Sequence, residues 1–408
     1  MNLMPSQRAF KTGPETGQKP RTILQIIPHL DAGGAEKIVV DLAAAQAAAG
    51  YRALIASEGG RLVAEVQALG GLWLPFPAAA KNPLRMALNV RRLASLLARE
   101  RVDLVHVHSR APAWVALGAC RLRPTPMMTT FHGAYGGSTA LKRRYNSVMV
   151  RADLIIAHSR FIADHVGTAF PEAAARVRLV PCGFDFSAFD LAKVDAQRVR
   201  KLREGWGLAG HERLVLLPGR LTPIKGQRLM IEAARQLFNE GLTDTKFILA
   251  GDEQGRAGYA RELDQMIARY HLEGQVARVG HCSDMPAAYG AASLVCMPTT
   301  VPETFGRVAV EAQAMGTPVI ATSHGATSET VLAPPLVPAL ERTGWLVPPD
   351  DAPALAAAVR EALSLGASAR SALAQRARTH VVGQFGLERM NDSTLVLYEE
   401  VIAASWRA

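Results

Sequence analysis

Residues 299–323 read TTVPETFGRVAVEAQAMGTPVIATS and join a polar loop, a short helix and a buried strand. An apolar run at residues 294–297 ends where this loop begins. Gly316 and Pro318 are helix-stop signals, so the pattern predicts a helix in the middle of the stretch that ends at Gly316. Residues 319–322 then read as a short buried parallel strand. The stretch is therefore typical of an α/β fold.

Two glutamates in this stretch are placed where they could contact a ligand. Glu311 lies inside the predicted helix among Ala, Val and Met residues, where a carboxylate is costly to desolvate unless a polar group meets it. Glu303 precedes the helix start, which is predicted near Phe305 or Gly306. The free N–H groups of such a start attract anions and polarised hydroxyls. Two solvated helix charges are the alternative interpretation.

The spacing of these glutamates resembles the Glu-x7-Glu segment of retaining glycosyltransferases with the GT-B fold, in particular glycosyltransferase family 4. The resemblance implies an α/β fold of two doubly wound Rossmann-like domains that face each other across a cleft, with the active site between them. It also implies that Glu303 lies by the donor sugar and that Glu311 hydrogen-bonds the ribose of the nucleotide. Phe305 and Gly306 would complete this part of the donor site.

Length and composition are consistent with a globular protein of two or three domains. The chain has 408 residues, of which 49% are hydrophobic and 20% are charged. Residues 1–20 are polar and rich in Pro and Gly, so we predict a flexible tail. We place the acceptor-side domain at residues 21–190 and the nucleotide-sugar-binding domain at residues 191–385. Residues 386–408 are predicted as a helix that crosses back to the first domain.

The cysteines and the hydropathy pattern restrict the class of protein. No segment approaches the roughly 20 uninterrupted apolar residues that a membrane-spanning helix needs. The cysteines show neither CxxC pairing nor metal-ligand spacing, which favours a reduced, cytoplasmic protein without a structural zinc site. They are Cys120, Cys182, Cys282 and Cys296.

The net charge of +10 arises from the first half of the chain. This asymmetry suggests an anionic partner, such as a phosphorylated lipid, an acidic glycan or a membrane surface. Nucleic acid is disfavoured, because no zinc-finger, helix-turn-helix or RNA-binding aromatic signature accompanies the charge. An ordinary Arg-rich solubilising surface is the alternative.

A basic stretch at residues 138–151 contains Lys142, Arg143 and Arg144 with apolar residues at helical spacing behind them. Such a helix could make peripheral contact with an anionic membrane. The alternative is a helix that packs on the core and exposes only its charged face.

The first predicted unit is the strand at residues 23–27, a Gly-containing turn and an Ala-rich helix, which is the doubly wound pattern. Gly33 and Gly34 allow a close approach of the backbone, and the N–H groups of Ala35 and Glu36 could face a phosphate. The turn resembles the first turn of the family, which approaches donor and acceptor. The resemblance therefore implies Gly34 as a donor-site residue and both glycines as acceptor-side residues.

Polar residues follow several predicted strands, and parallel strands place such residues at one edge of the sheet. We single out His132, which ends a strand in TTFHG. In the family, a His at the matching position lies beside the reacting sugar and the acceptor. For His108 and His158, a buried histidine satisfied by backbone groups is the alternative interpretation. The full set is His29, His106, His108, Ser109, Thr130, His132, His158 and Ser159.

The second half opens with a strand at residues 213–219, followed by RLTPIKGQ. Arg220 and Lys225 flank a turn that contains Pro223 and Gly226, so two cations converge beside a helix start. This arrangement suits a diphosphate leaving group. The pair also resembles the donor-phosphate site of the family.

Two further predictions come from the second half of the chain. A loop at residues 283–285 resembles the family segment that holds the nucleobase through backbone groups, so Asp284 and Met285 are base-site candidates. The segment at residues 388–406 carries apolar residues at helical spacing and is predicted as the last helix.

The resemblance implies a retaining glycosyltransferase of the hexosyltransferase type. It would move a sugar from a nucleotide diphosphate sugar to a glycan or lipid-linked acceptor in cell-envelope polysaccharide or lipopolysaccharide synthesis. Arg220 and Lys225 would neutralise the leaving diphosphate, Glu303 and His132 would act at the reacting sugar, and neither a metal nor a cofactor is expected. The alternatives are a GT-B epimerase or phosphorylase, or a non-catalytic scaffold that binds sugar nucleotides.

Overall fold

The computed structural model describes residues 19–31, 33–135 and 139–405. Within these residues the chain divides into two compact units. The first contains Met1–Gly183 and Leu387–Ala408, and the second contains Phe184–Gly386. Residues 1–18 of the predicted tail lie outside the described residues, as do Ser138 of the basic stretch and Trp406 of the last predicted helix.

The sheet of the first unit is entirely parallel and has the strand order β3-β2-β1-β4-β5-β6-β7. The order reverses between β1 and β4, where Ile26 pairs with Val107, so the sheet is doubly wound and a ligand site is expected at this edge. Its described strands are β1 (Thr22–Ile26), β2 (Arg52–Ser57), β3 (Leu72–Pro75), β4 (Leu104–Val107), β5 (Met127–Phe131), β6 (Leu154–Ala157) and β7 (Val177–Leu179).

Helices cover this sheet, and the strand residues of β1, β4, β5 and β6 are buried throughout, as expected for central parallel strands. A helix start with strong local signals follows Asn82, whose side chain accepts hydrogen bonds from the N–H groups of Leu84 and Arg85 ahead of Pro83. The helices are α1 (Gly34–Ala48), α2 (Val63–Ala68), α3 (Pro83–Glu100), α4 (Arg110–Leu122), α5 (Ala140–Asn146) and α6 (Arg160–Ala169).

The second unit repeats the architecture with a parallel sheet in the order β10-β9-β8-β11-β12-β13. Its order reverses between β8 and β11, where Leu216 pairs with Val295. The described strands are β8 (Arg213–Pro218), β9 (Thr245–Ala250), β10 (Val276–Gly280), β11 (Leu294–Met297), β12 (Val319–Thr322) and β13 (Trp345–Val347).

Eight described helices belong to the second unit, and one further helix, α15 (Leu387–Ser405), returns to the first unit. There α15 packs on α1, and its Tyr398 accepts a hydrogen bond from Gln46 at 3.0 Å. The second-unit helices are α7 (Ala196–Gly205), α8 (Gln227–Asn239), α9 (Ala257–Arg269), α10 (Met285–Ala291), α11 (Arg307–Ala314), α12 (Thr327–Thr330), α13 (Ala352–Leu363) and α14 (Ala367–Phe385).

Several elements differ from the sequence predictions. We did not predict α2 and β3. The four residues of β3, LWLP, are apolar but exposed or half-buried, and so short a run carries little periodicity. The compact units meet in the chain at residues 183/184 and 386/387, against predicted boundaries at 190/191 and 385/386.

The basic stretch forms α5 and then a 3-10 helix, Ser147–Val150. Val148, Met149 and Val150 are buried in the core of the first unit, so the apolar side of this stretch packs on the protein. Leu141, in contrast, is 78% exposed. Within the described ranges, no helix is long and apolar enough to cross a membrane.

Candidate active site

The loop between β8 and α8 holds the two predicted phosphate-binding cations. Gly226 has a φ of +75° and lies against Pro298, whose carbonyl oxygen a Cβ atom would overlap, so the turn requires glycine. Gln227 is buried and its amide donates to the carbonyl oxygen of Arg220 at 2.9 Å. These contacts fix the backbone of the loop, while the Arg220 side chain is exposed to solvent.

Lys225 and Glu303 are brought together in the second unit. The Lys225 ammonium donates to Oε1 of Glu303, and both side chains are largely buried, with exposed fractions of 26% and 17%. A carboxylate that accepts from a partly buried ammonium is a charge-assisted pair of the strong kind. Two of the residues predicted to contact the donor are therefore joined in the structure.

The backbone of Glu303 is held by the turn that follows β12. Its N–H donates to the carbonyl of His324 at 3.1 Å, and its carbonyl accepts from the N–H of Ala326 at 2.8 Å. Gly325 lies between these bonds with a φ of +80°, and a Cβ atom there would overlap the carbonyl oxygen of Glu303. The turn at residues 324–326 therefore acts as a backbone clamp on Glu303.

Glu311 is buried in α11, and both of its carboxylate oxygens have protein donors. The hydroxyl of Tyr289 donates to Oε2 at 2.9 Å, and the guanidinium of Arg307 donates to Oε1 at 3.1 Å. Burial and the neighbouring carboxylate raise the pKa of Tyr289 well above its usual value, so the hydroxyl stays protonated. A carboxylate offers about four lone-pair positions, so hydroxyl donors from a ligand can still be accepted.

Phe305 and Gly306 form the start of α11. Gly306 has a φ of +91° and caps the helix, whose first N–H groups have no partner within the helix. Phe305 is buried and stacks on Phe184 at 5.3 Å between ring centroids. The helix start is thus anchored by an aromatic contact, and its role in binding the donor stays a prediction.

Asp284 and Met285 begin α10. The Asp284 carboxylate accepts from the N–H of Ala287 at 3.1 Å and pairs with Arg198 at 2.6 Å. The hydrogen bond from Arg198 lowers the pKa of Asp284. The carboxylate thus caps the helix and binds Arg198, and the role of this turn at a nucleobase stays a prediction.

The predicted phosphate turn of the first unit begins α1. Gly33 is the residue before the helix, and its carbonyl accepts from the N–H of Lys37 at 3.1 Å. The Glu36 carboxylate folds back over Gly33, where a Cβ atom would overlap its Oε2. The Glu36 side chain thus lies beside the residue that precedes the helix, and the phosphate-binding role of the N–H groups of Ala35 and Glu36 stays a prediction.

His132 belongs to a group of histidines at the carboxyl end of the first sheet. Its Nε2 lies 3.0 Å from Nδ1 of His108, and its ring centroid lies 5.3 Å from that of His158. Burial lowers the pKa of His132 and His108 well below the usual value, that of His158 to about 4 and that of His106 to about 3. These side chains are therefore neutral near pH 7.

The alternative interpretation of the other histidines holds in part for His158, whose Nε2 is buried without a hydrogen-bond partner among the described residues. His158 donates from Nδ1 to the carbonyl oxygen of Val180 at 2.8 Å, which is a backbone bond. His108 bonds instead to two side chains, those of His132 and Gln25. His108 therefore takes part in a side-chain network that the sequence did not indicate.

A cavity of about 930 Å³ in the first unit was not predicted from the sequence. It opens at the carboxyl ends of β1, β2 and β4, and four cationic side chains line it against one carboxylate, Glu58. These side chains come from separate parts of the chain, so a sequence scan sees only scattered basic residues. The cations are Lys81, Arg85, Arg92 and Arg110.

Two family models match successive parts of the chain. The model described as Glycosyltransferase Family 4 matches residues 32–188, and the model described as Glycosyl transferases group 1 matches residues 199–380. These ranges contain the cationic cavity and the Lys225–Glu303 pair, respectively.

Relatives and solved structures with similar chains carry glycosyltransferase names. A D-inositol 3-phosphate glycosyltransferase of Jonesia denitrificans is 28% identical over 92% of this chain and 93% of its own. Another, of Catenulispora acidiphila, is 29% identical over 74% of this chain and 72% of its own.

The crystal structure of a glycosyltransferase from Rickettsia africae has a TM-score of 0.86 and 29% identity, and covers 94% of this chain and 99% of its own. Anabaena Alr3699/HepE, solved in complex with UDP and glucose, has a TM-score of 0.77 and 25% identity, over 92% and 99% of the two chains.

Proposed function

We propose that this chain, which belongs to the GT-B glycosyltransferases of the family 4 and group 1 types, transfers a sugar from a nucleotide diphosphate sugar to an anionic acceptor. The observation that carries the proposal is the Lys225–Glu303 pair beside the loop of Arg220. The pair places a cation for the diphosphate, Lys225, directly beside a carboxylate for the sugar, Glu303. The proposal includes transfer with retention at the anomeric carbon.

The donor side of the proposal is supported by charge and position. During transfer, the bond from the anomeric carbon to the diphosphate breaks and the diphosphate takes the electron pair. Arg220 and Lys225 would stabilise the negative charge that develops, without a metal ion. Losing one such preorganised donor typically costs about 2.7–4 kcal/mol of transition-state stabilisation. The complexes of the Anabaena protein with UDP and UDP-glucose make UDP the first nucleotide to test.

Glu303 and Glu311 would orient the donor. Glu303 would accept from a sugar hydroxyl while Lys225 turns its other protons toward the phosphate, because an ammonium has three donors. Glu311 would accept from the ribose with the lone pairs that Tyr289 and Arg307 leave free. The clamp at residues 324–326 would keep the first carboxylate in place, since its backbone bonds do not involve the ligand.

The acceptor side is assigned to the first unit, with His132 and the turn at Gly33 and Gly34 among its residues. The cavity with four cations favours an acceptor that carries phosphate or another anionic group. The name of two relatives, D-inositol 3-phosphate glycosyltransferase, indicates that their acceptor is phosphorylated. We therefore propose a phosphorylated glycan or a lipid-linked intermediate of envelope polysaccharide or lipopolysaccharide synthesis, handled in the cytoplasm.

Peripheral contact with an anionic membrane is part of this proposal. Lys142, Arg143 and Arg144 lie on α5 beside the exposed Leu141. Replacing the three cations with Gln should weaken pelleting with vesicles that contain phosphatidylglycerol, by about 1 kcal/mol for each cation near the surface. Unchanged pelleting of this variant would remove the membrane from the proposal.

The experiment that tests the function measures nucleotide release. The purified protein is incubated with each candidate donor, an acceptor extract and EDTA, and free nucleoside diphosphate is measured for the wild type and for Lys225→Ala. Arg228→Ala is the matched control, since Arg228 is an exposed cation on α8 that pairs with Glu262. We expect release by the wild type and the control, and a 100- to 1000-fold loss in Lys225→Ala, as for other oxyanion donors.

Other outcomes would replace the proposal. Donor binding without release in the presence of any acceptor would favour a sugar-nucleotide-binding scaffold. Conversion of the donor sugar without an acceptor would indicate an epimerase, and turnover that requires inorganic phosphate would indicate a phosphorylase.

A further inference from the structure

Four neutral histidines lie together at the carboxyl end of the first sheet. Ring centroids are 4.2 Å apart for His106 and His108 and 5.2 Å apart for His108 and His132. His158 follows at 5.3 Å from His132. A neutral imidazole carries one proton and one lone pair, so its function depends on which nitrogen holds the proton.

The orientation of the Gln25 amide sets the first proton position. Gln25 is fully buried in β1, and its Nε2 donates to the main-chain carbonyl of Val39 at 3.2 Å. A rotated amide would place its oxygen against that carbonyl oxygen, which can only accept. Oε1 of Gln25 therefore faces Nε2 of His108, at 3.0 Å, and accepts from it.

The proton on Nε2 of His108 determines the tautomer of His132. Because neutral His108 donates to Gln25, its Nδ1 has a lone pair and cannot donate. In the 3.0 Å contact between this Nδ1 and Nε2 of His132, Nε2 of His132 must then carry the proton and donate it. The other nitrogen of His132, Nδ1, keeps its lone pair and has no hydrogen-bond partner within residues 33–135 and 139–405.

We propose that Gln25 and His108 are positioning residues that hold His132 in the tautomer with its proton on Nε2. Nδ1 of His132 is then a hydrogen-bond acceptor before the ligand binds. It accepts a hydrogen bond from a hydroxyl of the bound sugar and cannot donate one to a carbonyl or phosphate oxygen. Only the identity of that ligand as a sugar rests on the proposed function. The tautomer itself follows from the hydrogen bonds of the first unit.

A second network provides the control. The amide of Gln46 donates to the hydroxyl oxygen of Tyr398 at 3.0 Å, so the Tyr398 proton points to Nδ1 of His106 at 2.8 Å. His106 then donates from Nε2 to the hydroxyl of Thr130 at 2.7 Å. This network is buried and neutral like the first. It contacts the first where Nε2 of Gln25 donates to Oε1 of Gln46 at 3.5 Å, but it does not contain His132.

The test reads the tautomer directly. The full chain is labelled with ¹⁵N-histidine, and two-bond ¹H–¹⁵N correlation spectra are recorded at pH 7.5 for the wild type, Gln25→Met and Tyr398→Phe. The signals of His132 are assigned by their loss in His132→Gln. We expect one His132 tautomer, protonated at Nε2, in the wild type and in Tyr398→Phe, and a mixture of two tautomers in Gln25→Met.

Two results would overturn the inference: a wild-type His132 protonated at Nδ1, or a single unchanged tautomer in Gln25→Met. If Gln25→Met fails to fold, a wild-type His132 protonated at Nδ1 still overturns the inference. If the chain also turns over a donor, kcat/KM should fall about tenfold more in Gln25→Met than in Tyr398→Phe, the loss of about one hydrogen bond. Absence of turnover with every donor would count against the proposed function and would leave the spectra to judge the tautomer.

Discussion

A single methyl group at Gly325 should disable the clamp that holds Glu303. Gly325 has a φ of +80°, and the position of an added Cβ atom lies 2.7 Å from the backbone nitrogen of Glu303 and overlaps its carbonyl oxygen. Backbone cannot yield as a side chain does. Gly325→Ala must therefore push the two segments apart and break the bonds from Glu303 to His324 and from Ala326 to Glu303.

The expected cost follows from these contacts. A left-handed conformation costs a residue with a Cβ atom about 1–2 kcal/mol, and each lost backbone hydrogen bond adds about 0.5–1.5 kcal/mol. Gly325→Ala should therefore lower the free energy of unfolding of the second unit by about 2–5 kcal/mol. Because Glu303 also loses its fixed position beside Lys225, affinity for a donor sugar nucleotide should fall more than affinity for the free nucleoside diphosphate.

Chemical unfolding and ligand titration check both parts of this prediction. Gly258→Ala is the matched control, since Gly258 lies in α9 and a Cβ atom there meets nothing within 4 Å. The control should unfold at the wild-type denaturant concentration or slightly above it. If Gly325→Ala is as stable as Gly258→Ala, the clamp does not exist as described. If Gly325→Ala is less stable but has the wild-type ratio of affinity for sugar nucleotide to affinity for free nucleotide, the clamp does not position Glu303 for the donor.

Further predictions concern the buried groups and the cations. Tyr289→Phe removes the hydrogen bond to Glu311 and should lower the free energy of unfolding by about 1.5–3 kcal/mol, as measured in urea, because the acceptor is charged; a value near zero would show that the carboxylate does not need it. The pKa of His158 is about 4 in the folded chain, below its unfolded value of about 6.5, so the unfolded state binds the proton first. The contribution of this group to the free energy of unfolding is therefore fully present above pH 6.5 and should be lost, by about 3 kcal/mol, as the pH drops toward 4. His158→Asn should make this fall in stability less steep. An identical pH profile for that variant would refute the assignment. Arg220→Ala should weaken nucleoside diphosphate binding more at low than at high salt, whereas salt-independent binding would mean that Arg220 does not contact the phosphates.

The fold class was predictable because its signals are local. Strands such as β11 and β12 are continuous apolar runs, and the glycine and proline that end α11 lie directly beside it in the sequence. The two parallel sheets and the likeness to solved glycosyltransferases confirm that prediction. The edge strand β3 escaped prediction because its apolar run has only four residues, which is too short to show a periodicity.

The partners within the candidate site were not predictable in the same way. Lys225 and Glu303 are 78 residues apart in the chain, and Tyr289 reaches Glu311 across 22 residues. Motif resemblance selected Lys225, Glu303 and Glu311 for their chemistry, but only the packing of the sheet shows that Lys225 meets Glu303 and that Tyr289 meets Glu311. Sequence reasoning also had no means to find the hydrogen bond from His108 to Gln25, which depends on the register between β1 and β4.

The cavity of the first unit shows a similar limit. Its cations come from the loop before α3, from α3 itself and from the start of α4. Because these residues are far apart in the sequence, they contributed only to the general excess of basic residues. The sequence therefore did not distinguish a solubilising surface from a binding site. Their placement around one cavity is what favours an anionic acceptor.

The most direct test of the central claim is a thermal-shift panel of UDP, GDP, ADP and their sugar conjugates, with and without EDTA. We predict that one nucleotide family raises the melting temperature, that EDTA leaves the shift intact, and that Arg220→Ala abolishes it while Arg228→Ala does not. A shift of equal size in Arg220→Ala, or one that EDTA removes, would contradict a donor site built from the cations of the loop between β8 and α8.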